Sequence, residues 1–457
     1  MKLATRKPHK LRRILIALLV VLVVVGLWLG LRVGPEPMVS LDTDRAAVGR
    51  ATSVEARFLE PEGGLGEVRL ELSQGGRTEV LARDAFAAGS LLPFAGDRGT
   101  PESVLRATVG TGTVDWLSEG EVVLRAVASR RAGFLRSADD VVVERRLPVR
   151  LHPPRLELLS TQHYARQGGS GAVHYRVGET AVRSGVRAGG HESTGAPMPG
   201  GGPGEHFVIY ALPWDLADAA EVRVFAEDDA GNRVEQPFLD LFKPRPPRTG
   251  TISLSEAFLE RVVPPIADRS PVVDATAPLL EQYLVINGEL RRAELERLAE
   301  LAQDSAPAPL WSGPFVQMAN SGLQAGFAET RSYLWQGQPV DRQTHLGLDL
   351  AATARAPVPA PNTGRVVAAG WMSLYGYAVV IDHGGGLMSL SGHLSSIDVA
   401  EGELVESGRI IGSSGATGLA GGDHLHLEIF VHGQSVDPVE WLDGKWIRDN
   451  ITSKISF

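Results

Sequence analysis

Apolar residues occupy every position but one or two from Ile14 to Leu31, and Lys2, Arg6, Lys7, Lys10, Arg12 and Arg13 precede this run. A helix of about 20 apolar residues, rising about 1.5 Å each, crosses a hydrocarbon core of about 30 Å. A stretch of Leu and Val with no polar face has nothing to orient it at a protein surface. The pattern therefore predicts a basic cytoplasmic tail and transmembrane anchor over residues 1–33, with the positive flank inside and everything after Val33 exported. A cleavable signal carries an apolar region of about 7 to 15 residues ending at a small-residue site. This run ends instead in Trp28, Leu29, Gly30, Leu31 and Arg32.

Beyond the anchor the period changes to two. Short alternating bursts such as Glu67-Val-Arg-Leu-Glu-Leu-Ser73 and Glu121-Val-Val-Leu-Arg-Ala-Val127, separated by Gly, Asp and Pro clusters, predict a β-sandwich-like domain over 37–152. Pro153-Pro154 marks a seam. A second set of strands over 153–243 closes with Glu221 to Val234, where Asp229 to Asn232 fits the tight turn of an immunoglobulin-like hairpin. Gly200 to Gly204 reads as a mobile loop. Lys243-Pro-Arg-Pro-Pro-Arg-Thr-Gly250 reads as a semi-rigid linker. Helical spacing over Leu254 to Val263 and Glu289 to Gln303 then predicts a connector, giving a linker and helical segment over 244–311. From Ser312 to Phe457 strands and Gly turns return. The chain is expected to be multidomain and mainly β.

Composition agrees and narrows the chemistry. A length of 457 residues calls for about three folded units, and Gly 52 with Pro 29 favours turn-rich β structure. The net charge of -9, with no basic stripe beyond the first residues, excludes a nucleic-acid partner. With no cysteine, any metal site must be built from His and carboxylates.

Six of the twelve histidines fall between His345 and His432. Three segments stand out: His345-Leu-Gly-Leu-Asp349, Ser391-Gly-His393-Leu394 and Asp423-His424-Leu-His426-Leu-Glu428. In a strand, His424 and His426 project from one face about 7 Å apart and can meet one metal or one substrate. His345 and Asp349 would lie about 13 Å apart in a straight strand, so the backbone must bend, and Gly347 is placed to let it. Two His and one carboxylate leave a tetrahedral ion a position for water, the pattern of catalytic zinc. Two further His then remain for proton transfer. His383 and His432, taken singly, read as ordinary satisfied or exposed rings.

These segments and their neighbours resemble the LytM or lysostaphin-type metallopeptidases, peptidase family M23, over about Phe327 to Pro438. The order is His345-x-x-x-Asp349, Ala356-Pro-Val-Pro-Ala360, Gly364-Arg-Val366, Gly376-Tyr-Ala-Val-Val-Ile-Asp-His383, Ser391-Gly-His-Leu394, Gly402-Glu-Leu-Val405, Gly408-Arg-Ile-Ile-Gly412, Gly415-Ala-Thr-Gly418 and His424-Leu-His426. The resemblance implies a C-terminal antiparallel β-sheet peptidase domain with one Zn2+ on His345, Asp349 and His426. It implies His393 and His424 as general base and oxyanion donor, in an order the residues leave open. Two departures, Ser389-Leu-Ser391-Gly before the His-Leu pair and Phe327-Ala328 in place of Phe-Gly, bear on the shape of the substrate groove. No ligand position is lost.

Glu401 to Gly412 read alone resembles a biotinyl or lipoyl carrier hairpin, but no Lys stands at its turn, so it reads as scaffold. Gly415 to Gly422 reads either as one wall of a groove for an extended peptide or as a surface loop.

The expected protein is a zinc-dependent endopeptidase hydrolysing amide bonds in peptidoglycan peptide stems or cross-bridges. It is expected in the cytoplasmic (inner) membrane as a single-pass protein with its bulk in the periplasm or another extracytoplasmic space. The alternative is a non-catalytic regulator or scaffold that binds wall peptide or activates another hydrolase, with a protein partner on the β domains. A further alternative has the segment before Phe327 folded over the groove to hold the enzyme latent.

Overall fold

A computed structural model of the chain describes residues 9–62, 64–86, 99–132 and 135–455. It divides into two compact units, Met1–Pro153 with Asp228–Asn232, and Pro154–Glu227 with Arg233–Phe457. The basic residues Lys2, Arg6 and Lys7 lie outside the described residues. Helix α1, His9–Leu31, includes an apolar span from Arg12 to Leu31, long enough to cross a membrane.

The first unit is a sandwich. Strands Met38–Thr43, Thr52–Leu59 and Glu102–Val109 form one antiparallel sheet; Arg77–Ala85, Glu67–Gln74, Gly120–Ala128 and Val141–Val149 form the other. Both strands read from alternation are present, and Phe58, Leu70, Leu72 and Leu124 share the core between the sheets.

The second unit opens with two four-stranded sheets. Val173, Tyr175, Val208 and Tyr210 of one meet Val186, Val224 and Ala226 of the other. The hairpin of Val222–Asp228 with Arg233–Pro237 turns where expected, and Asp228 secures the turn by accepting from the amides of Ala230 and Asn232. Gly200 to Gly204 lies between the strands Ala196–Pro197 and Glu205–Ala211.

The segment from Lys243 to Gly250 is not simply a linker. Its last three residues start the strand Arg248–Leu254, which pairs in parallel with Glu329–Trp335; the latter forms a hairpin with Gln338–His345. Composition marked the prolines correctly but could not show a partner some eighty residues away.

Helix α2, Glu256–Ala267, begins with the Ser255 hydroxyl accepting from the Phe258 amide, and its Leu259, Val262, Val263 and Ile266 form one buried stripe. α3, Leu279–Val285, runs through a π turn into α4, Arg291–Gln303, so helix begins ten residues before the Glu289 that spacing suggested.

An eight-stranded sheet follows, in the order Gly322–Ala325, Leu348–Ala351, Leu425–Val431, Leu387–Leu394, Tyr377–Gly384, Gly364–Trp371 and Leu404–Val405, with Gln434–Val436 also on Leu425–Val431. Every residue of Leu425–Val431 is buried, because both faces are covered. Leu425, Leu427, Ile429 and Val431 pack with Trp311, Trp441 and the second sandwich's Phe207 and Ile209. On the opposite face Phe430, Met388, Leu390 and Val380 pack with α2 to α4. Period two places His424, His426 and Glu428 on that helix-covered face.

Candidate metal centre

The first metal-capable side chain ends the hairpin strand Gln338–His345, the second lies in Leu348–Ala351, and the third in Leu425–Val431, where Asp349 pairs directly with His426. The break between the first two strands falls at Leu346-Gly347. Gly347 is required there for close approach: a Cβ would stand 2.6 Å from His426 Cε1, 2.7 Å from its Nε2 and 2.8 Å from the Leu427 carbonyl. Gly347 is the residue expected at the bend for its backbone freedom, whereas the operative constraint on it is space.

His345, Asp349 and His426 bring their donor atoms into one triangle. His345 Nε2 is 2.9 Å from Asp349 Oδ1 and 3.2 Å from His426 Nδ1, and His426 Nδ1 is 3.0 Å from Asp349 Oδ1. Ligand bonds of about 2.0 to 2.1 Å in a tetrahedron put neighbouring donors about 3.3 Å apart, so the three need spread by only a few tenths of an ångström to hold zinc. The tautomers also fit. His345 Nδ1 lies 3.0 Å from the Gly326 carbonyl, to which only an N–H can bond, so with a metal bound Nε2 would be the nitrogen that offers its lone pair to the triangle. His426 has the reverse arrangement, with Nε2 3.2 Å from Glu428 Oε2 and Nδ1 facing the triangle.

Burial opposes charge on Asp349, yet hydrogen bonds from His345, His424 and His426 hold its carboxyl far below the usual range. Burial likewise works against a charged His426, but Asp349 and Glu428 outweigh it and raise the ring to about 9.

His393 and His424 stand beside the triangle, their ring centroids 4.8 Å apart. Each donates Nδ1–H to a carbonyl at 2.8 Å, His393 to Thr417 and His424 to Gly422, and His424 Nε2 lies 3.5 Å from Asp349 Oδ1. His393 holds a left-handed backbone, φ 61°, a strained geometry for a non-glycine residue. Burial, with His424 and His426 adding to it, lowers the His393 ring to about 3 and keeps it neutral.

A cavity of about 690 Å³ opens on these five residues. Leu419, Gly421 and Gly422 line one side, which places the Gly-rich turn in the wall of the site, and Phe258, Tyr283 and Arg291 of the helical layer line another. Three contributors escaped sequence reasoning. Arg331 Nη2 lies 3.4 Å from Asp349 Oδ2, Tyr375 donates to Glu428 at 3.0 Å, and Glu428 is 1% exposed. Glu428 had a signal, since it shares strand parity with His426; Arg331 had none, since only the folded hairpin carries it to Asp349. His383, bonded to the Thr363 carbonyl and the Ser389 hydroxyl, is a satisfied core ring, and His432 lies away from the cavity. Ala328 keeps the left-handed backbone, φ 61°, that a glycine would favour at that place, and its amide still donates to the His345 carbonyl at 2.7 Å. This departure leaves the backbone beside the ligand in place.

Residues 343–438 match the family model described as Peptidase family M23. This segment is an M23 peptidase domain. The domain is similar to a Neisseria meningitidis serogroup B protein named DD-carboxypeptidase/endopeptidase Mpg, 43% identical over 95 residues, 21% of this chain and 22% of that one. It is similar to the peptidoglycan DD-endopeptidase ShyB of Vibrio cholerae serotype O1, 33% identical over 125 residues, 27% of this chain and 29% of that one. It is also similar to the murein hydrolase activator EnvC of Escherichia coli K12, 40% identical over 96 residues, 21% of this chain and 23% of that one. The chain thus spans less than a third of the length of these relatives.

Proposed function

We propose that the protein is a zinc-dependent endopeptidase, held to a membrane by α1, that hydrolyses amide bonds in the peptide stems or cross-bridges of peptidoglycan. The observation that carries this reading is the triangle of His345 Nε2, Asp349 Oδ1 and His426 Nδ1, with two more imidazoles turned toward it. A zinc ion there would supply a Lewis acid and a bound water with a pKa near about 7.

The residues divide the remaining work. His393, kept neutral by burial, takes the proton of the attacking water and passes it to the leaving amine. His424, with Nδ1 committed to the Gly422 carbonyl and Nε2 beside the Asp349 carboxylate, is the hydrogen-bond donor to the developing oxyanion. Arg331 holds the outer oxygen of Asp349. The cavity wall formed by Leu419 to Gly422 receives the extended peptide.

The helix α1 supports a single-pass placement in the inner membrane, with everything after Val33 outside the cytoplasm. The activator among the relatives supports a second reading, in which the domain binds wall peptide and regulates another hydrolase. Turnover separates the two: the enzyme releases new peptide ends from isolated peptidoglycan and its His345→Ala variant does not, whereas a regulator releases none.

A further inference from the structure

Glu428 is a carboxylate in the core of the sheet, 1% exposed, with no Lys or Arg among its partners in the described residues. Three donors satisfy it: Ser435 Oγ at 2.6 Å on Oε1, Tyr375 Oη at 3.0 Å on Oε2, and His426 Nε2 at 3.2 Å on the same Oε2. An unneutralised buried carboxylate is costly unless its lone pairs are taken, and here hydroxyls take part of them and leave one direction for the ring. The strand makes the pairing unavoidable, since residues two apart share a face.

We propose that Glu428 is a positioning residue of the metal centre, fixing the proton of His426 on Nε2 so that Nδ1 offers its lone pair to the metal, with Tyr375 and Ser435 holding the carboxylate for that task. This goes beyond the endopeptidase reading but rests on the metal site within it. The two histidine ligands need opposite tautomers. His345 obtains its own from the Gly326 carbonyl, a neutral acceptor. His426 obtains its own from an anion, which places negative charge behind the ring and makes the facing nitrogen a stronger donor. Without Glu428 the ring would be free to turn over or to place its proton on Nδ1, into the triangle.

The test compares wild type, Glu428→Gln and Glu428→Ala, all full-length in detergent. Zinc affinity is measured by competition with a chromophoric chelator, and exchange of the His426 Nε2–H with solvent by NMR on zinc-loaded protein. Gln keeps the size but loses the charge and presents an amide N–H to one of the three donors, so the expected result is zinc binding at least tenfold weaker in a protein that still unfolds cooperatively without zinc. In Glu428→Ala the expected loss is larger and the ring N–H exchanges at least tenfold faster. A Glu428→Gln protein that binds zinc with less than tenfold loss would overturn the proposal, whether or not the Ala variant folds. Wild type that takes up no zinc would overturn the metal reading, and this role with it.

Discussion

His345 Nε2 and His426 Nδ1 face each other across 3.2 Å, each presented by a ring whose other nitrogen already has an acceptor behind it. Without a metal, both rings can satisfy the Asp349 carboxylate by hydrogen bonds. A zinc ion would take the place of those protons with three donor atoms already converged, and this is the physical basis for reading the cluster as a metal centre.

Removing one vertex should therefore empty the site. His345→Ala and Asp349→Ala are expected to reduce bound zinc from one per chain to a small fraction, measured by atomic emission on protein dialysed against a weak chelator. Full zinc content in either variant would remove that residue from the ligand set.

Gly347→Ala tests the close approach. The added Cβ would meet the His426 ring at 2.6 Å and the Leu427 carbonyl at 2.8 Å, so either the ring or the strand must give way. The expected cost is about 1 to 3 kcal/mol in chemical denaturation, accompanied by weaker zinc binding. Substitution without either effect would return the role of Gly347 to backbone freedom alone.

Glu440 gives a pH dependence with a definite sign. It is partly buried, with Oε2 accepting from the Ser170 amide at 2.8 Å, and loss of solvent around the carboxyl, with Asp437 adding to it, raises it to about 8 from its ordinary value of 4.5. The folded state thus holds a proton that the unfolded chain releases, and its contribution to stability is full below about pH 4.5 and is lost as pH rises toward about 8. Unfolding midpoints of Glu440→Gln, measured across that window, are expected to fall less with pH than those of wild type. Parallel curves would contradict the assignment.

Removal of residues 1–33 is expected to move the protein from the membrane to the soluble fraction, measured by fractionation after carbonate washing. A shortened protein that remained membrane-bound would require another attachment.

Much of this was legible along the chain. Alternation located Glu67 to Ser73 and Glu121 to Val127 as strands because each buries one face, and Asp229 to Asn232 as a turn because Asp228 can hold it locally. The five candidate site residues, which line one cavity, stood out because the motifs that carry them are short and ordered. What was hidden depends on distant pairing. Arg248–Leu254 becomes a strand only against Glu329–Trp335, and Arg331 reaches Asp349 only through that strand's hairpin. The helical spacing of α2 showed an apolar stripe but not that it covers the face bearing His426.

The most direct test is digestion of isolated peptidoglycan by the full-length protein, with mass spectrometry of the released fragments, using zinc-loaded, chelator-stripped, zinc-restored and His345→Ala samples. The expected result is a set of new peptide ends that vanish on stripping, return with zinc and never form with His345→Ala. Release that persists undiminished in the stripped protein or in His345→Ala, or no release by zinc-loaded wild type, would contradict the account.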